Sequence, residues 1–417
     1  MYIKQKLSGI FYGWWIVVAC FSISILIGGF VVLGFTAFFE PIANEFGWSY
    51  AQISLAASLR GVELGLLAPL LGLVIDRWGP RRIMLSGTIL VGLSLIFLSR
   101  TNSLGVYYGV FALMAIGISA HSPTVIMTAV ANWFRKQVGL ATGIMASGFA
   151  LGGLLIPVVV KLIDVFDWRN TLLILSLIIW VIGIPLSLLV RHKPEQYGYT
   201  VDGEQNNDEV SYKRRPYLQT EEPDIGLREV LKSRVFWHIG MAWTLQFLSI
   251  SAVTVHVMPY LSTVGIPRSI SSLVATALPL ASIIGRVSSG WLSDRFNKKR
   301  VATGFFTIMI AGLLFFMYAS NEEAWLLIPF FICFGIGWGG NNIMRPALIR
   351  EHFGISNFGA ILGFIMGMNS IGSIVSPLFA GWVYDNWGSY YIAWLVLVCL
   401  VFAGLLILVT IPTGKHR

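Results

Sequence analysis

The sequence predicts an all-α membrane protein of twelve transmembrane helices, arranged as two pseudo-symmetric six-helix bundles. Three observations carry that expectation. Apolar runs of about 20 residues recur from end to end, basic residues crowd onto alternate connections, and landmark residues repeat at a near-constant offset. Of the 417 residues, 56% are hydrophobic and only 12% charged, more apolar surface than a soluble domain hides. In the first half the runs lie near 12–36, 50–75, 83–100, 105–131, 139–163 and 170–190. In the second they lie near 235–260, 269–292, 300–319, 324–349, 357–382 and 390–412. Each is long enough to cross a hydrocarbon core of about 30 Å.

Charge sets the topology. If the N-terminus is cytoplasmic and the spans alternate, 22 of the 29 Lys and Arg fall on the cytoplasmic side. Arg100, Lys161, Arg169 and Arg268 face outside, and Arg60, Arg286 and Arg345 lie within spans. This is the positive-inside pattern, and it places both termini in the cytoplasm. The net charge of +9 therefore reports topology rather than a nucleic-acid partner. Two lysines precede the first span and no small-residue cleavage site follows it, so it is expected to be a retained helix in the cell membrane. Cys20, Cys333 and Cys399 lie in spans at unrelated spacings. They offer neither a disulfide frame nor a metal site. No histidine pair has metal-ligand spacing, and no cofactor is expected.

The one long polar stretch, 191–234, separates a bundle of residues 1–190 from a bundle of residues 235–417. Pro41 and Gly47 recur as Pro259 and Gly265, and Gly72 and Asp76 as Gly290 and Asp294, all 218 residues on. Gly143, Gly152 and Pro157 recur as Gly363, Gly372 and Pro377, 220 residues on. Trp168 recurs as Trp387. The chain reads as a tandem duplication, and two such bundles can rock about a shared central site.

The repeat carries a motif. GLVIDRWGPRR (72–82) and GWLSDRFNKKR (290–300) each join an apolar helix to a basic turn. Gly72 and Gly290 let helices approach, Asp76 and Asp294 can accept from a helix N-terminus, and Arg77 and Arg295 open the basic cluster. This resembles the signature loop of the major facilitator superfamily, with Asn297 where the second copy would carry Gly. The resemblance implies that superfamily's fold. A second stretch, WFRKQVGLATGIMASGFALGG (133–153), resembles the fifth-span signature of monocarboxylate transporters. YGWWIVVACF (12–21) is similar to their Gly-Trp-rich first span, without its acid. KPEQYGYTVDGE (193–204) looks like a linker segment shared by bacterial members and the oxalate–formate antiporter group.

Arg286 lies eight residues before Asp294, about 12 Å inside the turn. An arginine near a bilayer centre costs about 2.5–3.5 kcal/mol even on insertion scales. Its planar donor fork matches a carboxylate bidentately. The first half has Ala68 at the aligned position. The monocarboxylate-transporter resemblance implies that Arg286 binds the substrate carboxylate. Animal members carry an Asp one turn earlier for proton coupling; here that position is Ser282, which can still donate to a carboxylate. The bland reading of Arg286 is an interhelical salt bridge or snorkelling to the cytoplasmic face.

Around Arg286 the sequence offers further candidates. His256, near Pro259, could bind substrate or carry a proton, or rest on a backbone carbonyl. His121 and Asn341 occupy repeat-related positions in spans four and ten, and Asn369 and Ser370 lie in span eleven. Each either lines a cavity or holds helices together. Arg60 and Glu63 can pair on one face of span two, and Glu63 is the candidate carboxyl for proton coupling if that pair opens. No nucleotide-binding loop and no nucleophile–base set occurs, so a transporter driven by gradients is expected rather than an enzyme. The expected substrate is a lactate- or pyruvate-like monocarboxylate, carried with a proton by a protein working as a monomer. A carboxylate exchanger of the oxalate–formate type and a non-transporting nutrient sensor are the alternatives.

Overall fold

The computed structural model describes residues 11–59, 78–134, 137–192, 194–200, 227–354 and 358–412. Twelve helical segments follow in order, and the described residues contain no strand. They are α1 (Tyr12–Phe46), α2 (described over 50–59), α3 (Pro80–Ser99), α4 (104–131), α5 (138–166) and α6 (168–189). The second half supplies α7 (Arg234–Thr263), α8 (Arg268–Arg295), α9 (Lys298–Met317), α10 (Leu327–Phe353), α11 (Phe358–Trp387) and α12 (Tyr391–Thr410). Among the described residues, nine helical runs are long and apolar enough to cross a membrane. One of them holds both α5 and α6, separated at Asp167, whose φ of 65° and ψ of 169° interrupt the helix. The Asp167 carboxylate then accepts from the Arg169 and Asn170 amides at 2.6 and 3.0 Å, capping α6. α4 is itself broken, into Leu104–Ser119 and Pro123–Ala131, around residues 120–122.

The duplication is visible in the caps. Gly47 ends α1 at φ 63° and Gly265 follows α7 at φ 81°. This is the same left-handed stop in both halves, and it favours a residue without a side chain. The signature turns differ for a physical reason. Gly79 takes φ 75°, and Pro80 then starts α3. Its counterpart Asn297 stays at φ −57° and accepts from the Lys299 and Arg300 amides at 3.0 and 3.3 Å. The substitution exchanges a left-handed turn for an N-cap on α9.

Small residues set the close helix contacts. α8 lies backbone-to-backbone on α10: a Cβ on Gly339 would overlap the Ser282 carbonyl, and one on Gly285 the Ile336 carbonyl. In the first half α1 meets α5, where a Cβ on Gly152 would sit 2.7 Å from the Gly29 nitrogen. Both helices are distorted there. α1 widens into a π segment at Ile27–Leu33, and α5 tightens into a 3-10 turn at Gly152–Leu155.

The two halves meet at the end that carries the α1–α2 and α7–α8 turns. Arg268 pairs with Asp164 at 2.9 Å and donates to the Ala37 carbonyl at 2.8 Å. Asp385, near the end of α11, accepts from the Tyr50 and Ala51 amides at 2.8 and 2.7 Å and so caps α2. Midway along, the Thr276 hydroxyl reaches the Gly153 carbonyl oxygen at 2.9 Å. At the other end, a Cβ on Gly143, Gly290, Gly363 or Gly367 would meet nothing within 4 Å among the described residues. Among the described residues, the polar contacts between the halves lie at the first end and midway along.

Candidate substrate cavity

Between the halves lies a small pocket of about 10 Å³, lined by Leu33, Thr36 and Ile156 of the first half and Thr254, Leu278, Pro279 and Trp338 of the second. It is mainly apolar and sits just below the closed end. Arg286 lies seven residues beyond Pro279 on α8, two turns and about 10 Å deeper. At about 100° per residue it falls on the stripe of Ala275 and Pro279, roughly opposite the exposed Leu273, Ile284 and Trp291. Arg286 therefore faces inward. Its Nε is buried without a hydrogen-bond partner, and among the described residues no carboxylate lies within 4.0 Å of it. The salt-bridge alternative finds no partner there.

The other candidates divide. Ser282 is fully buried; its backbone lies on Gly339, and its hydroxyl donates to the Pro279 carbonyl at 2.6 Å. It belongs to the α8–α10 contact. His121 sits at the break in α4, where Nδ1 donates to the Gly117 carbonyl at 3.1 Å. Its Nε2 faces the Thr88 hydroxyl at 3.1 Å, which meets the Ser187 hydroxyl at 3.0 Å. That network ties α3, α4 and α6 together, as polar glue would. His256 lies at the closed end with no exposed surface. Its Nε2 donates to the Pro377 carbonyl at 2.9 Å and lies 3.0 Å from the Ser54 hydroxyl, leaving Nδ1 to accept from Tyr390 at 2.9 Å. It joins α7, α11 and α12 to α2 of the other half.

Asn341 is the opposite case. It has no exposed surface, its carbonyl accepts from the Trp243 indole at 3.0 Å, and both side-chain amide atoms lack partners. The Ser370 hydroxyl donates to the Gly367 carbonyl at 2.6 Å. Gly290 borders open space, Asp294 is exposed, and Arg295 stacks over Trp291 at 4.0 Å instead of joining a latch. Gly72, Asp76, Arg77, Arg60 and Glu63 lie outside the described residues.

One residue carries more than its sequence position suggests. Arg345 is seven residues beyond Trp338 on α10, the same two-turn step that separates Arg286 from Pro279. With the Asn369 amide oriented to satisfy its neighbours, its oxygen accepts from Arg345 Nη1 at 2.6 Å. Its nitrogen then donates to Thr244 Oγ1 at 3.2 Å and the Ile365 carbonyl at 3.3 Å. Arg345 Nε is buried and unpartnered, and no described carboxylate lies within 4.0 Å. The only sequence signal for it is an arginine inside an apolar span.

A small apolar pocket thus lies between the two repeats, and a buried arginine follows it two turns on along each of α8 and α10. Comparisons with known proteins agree with the architecture. Monocarboxylate transporter 12 of Xenopus laevis is 26% identical over 414 residues, covering 94% of this chain and 88% of that protein. The Homo sapiens protein of that name is 28% identical over 418 residues, covering 95% and 80%. The crystal structure of the nucleoside transporter NupG superposes with a TM-score of 0.75 at 14% identity, covering 96% of this chain and all of that one, which speaks to the fold alone. The family model for the Major Facilitator Superfamily matches residues 16–354 and 257–417, and the chain belongs to that superfamily of membrane transporters.

Proposed function

We propose that this protein is a secondary active transporter of small carboxylates, with lactate- and pyruvate-sized acids moved together with a proton by alternating access. The observation that carries this reading is Arg286: inward-facing, buried at Nε, and without a carboxylate partner among the described residues. Removing an unpaired guanidinium from water costs several kcal/mol. A substrate carboxylate offsets that and returns two charge-assisted hydrogen bonds. The relatives' name, monocarboxylate transporter, supports the same substrate class. In the orientation given by the basic loops, the closed end is extracellular and the cavity opens to the cytoplasm. His256 then belongs to the outer gate. The proton carrier in this reading remains Glu63.

Carboxylate exchange without a proton is the second reading, and the second unpaired cation, Arg345, favours it. Uptake of labelled pyruvate into proteoliposomes separates the readings. An inward proton gradient drives uptake in the first, and internal carboxylate drives it in the second. Arg286→Ala abolishes both. Unimpaired uptake by that variant would remove the carboxylate reading.

A further inference from the structure

Arg286 and Arg345 form a pair that the transport of a monocarboxylate leaves half used. Each lies two turns beyond a pocket-lining residue, Pro279 on α8 and Trp338 on α10. Each therefore continues an inward-facing stripe away from the closed end. The two helices fix their relative depth. A Cβ on Gly285 would lie 2.8 Å from the Gly340 nitrogen, so residue 286 is level with residue 341. Arg345 is then one turn deeper, about 6 Å along the axis. Asn341, on α10 at the level of Arg286, has both amide atoms unpartnered.

No carboxylate among the described residues neutralises either guanidinium. Among the described residues, the carboxylates that form ion pairs are Glu45, Asp164 and Glu351, whose partners are Arg169, Arg268 and Lys298. Asp385 is engaged with the start of α2. Arg345 is held at one nitrogen by the neutral Asn369 amide, which fixes its direction without cancelling its charge. Two buried cations one turn apart on packed helices repel each other, and a ligand with one negative charge leaves the second uncompensated. A ligand with two anionic groups about a helical turn apart satisfies both forks and gives Asn341 a polar partner.

We infer that Arg345, oriented by Asn369, forms a second carboxylate subsite one turn below Arg286, so that the preferred substrates are short acids with two carboxylates. The inference rests on the carboxylate reading of Arg286 and narrows it. A monocarboxylate occupies the upper subsite alone. A dicarboxylate bridges the two, with no covalent step and no proton required for charge balance.

The test is binding of succinate and of butyrate, equal in carbon number, to the purified full-length protein at pH 7.4. Heat of binding and ligand-induced thermal stabilisation read it independently of turnover. Wild type binds succinate at least about tenfold more tightly than butyrate, a difference of about 1.4 kcal/mol. Arg345→Gln brings that ratio close to one and shifts butyrate affinity less than about threefold, the size expected for a contact butyrate does not make. Arg345→Lys, which keeps the charge without the fork, retains part of the ratio. Because the ratio is internal to each preparation, a variant that folds in lower yield still reports it. A wild-type ratio near one, or a ratio that survives Arg345→Gln, overturns the second subsite while leaving Arg286 as a monocarboxylate site. If wild type binds neither acid and takes up no pyruvate, the carboxylate reading fails and the subsite fails with it.

Discussion

His121 and Asn341 stand at equivalent positions of the two halves, yet their surroundings are opposed. His121 is saturated: Gly117 and Thr88 take its two nitrogens, and Ser187 extends the network to a third helix. Asn341 has neither amide atom partnered, and Arg345 on its own helix and Arg286 at its level on α8 each keep a buried, unpartnered Nε. A polar group that is satisfied holds helices together, whereas one left unsatisfied in the interior is stable only if something else completes it. In the proposed mechanism the first half is the scaffold and the second half carries the ligand. Duplication supplies two frames, and in that mechanism divergence at one depth makes one of them a site.

The contrast can be broken by substitution. Arg286→Ala has the largest effect: uptake of labelled pyruvate falls at least about 100-fold, the size expected when a buried charge pair loses one partner. Asn341→Ala follows. It removes two unsatisfied buried atoms, so thermal stability holds or rises, while substrate affinity falls about tenfold with the loss of one hydrogen bond to a charged group. His121→Ala does the reverse, lowering stability by about 1 kcal/mol for a lost interhelical network and leaving affinity unchanged. Equal losses of affinity in the two variants would erase the distinction between the halves. Asp385→Asn weakens the cap on α2 by about 0.3–1 kcal/mol. It is read as increased labelling, by an impermeant thiol reagent from outside, of a cysteine placed at Ser54. Ser282→Ala has the smallest effect, under about threefold on affinity, because its hydroxyl already serves the Pro279 carbonyl.

What the sequence revealed and what it hid follow one division. Period, length and charge bias are properties of single segments, so the spans and the duplication were legible, down to the shared left-handed stops at Gly47 and Gly265. The fate of a polar side chain depends on what lies across the helix interface. Ser282 and His121 both read as possible cavity groups, and their neighbours enclose them. Arg345 read as one more intramembrane arginine, and only its register with the pocket-lining Trp338 and the Asn369 contact set it apart. The cap of Asp385 on α2 spans more than 330 positions of chain, and no local pattern announces it. Arg286 was the exception. An arginine deep in an apolar run is costly enough to be conspicuous before any partner is known.

The crossing of α1, α5 and α8 near the midplane has a kinetic meaning. Gly29, Gly152 and Gly153 bring three backbones together there, and the Thr276 hydroxyl reaches across to Gly153 from the other half. The Pro279 side chain packs on Gly153 there and Leu155 on Gly29, and the polar contact described across this bearing is a single hydrogen bond of about 1 kcal/mol. In the proposed cycle the barrier to turnover then resides at the rims, where the halves are tied by an ion pair and a helix cap. A change at Arg268 or Asp385 retunes the speed of the cycle while the specificity written at the centre stays as it is.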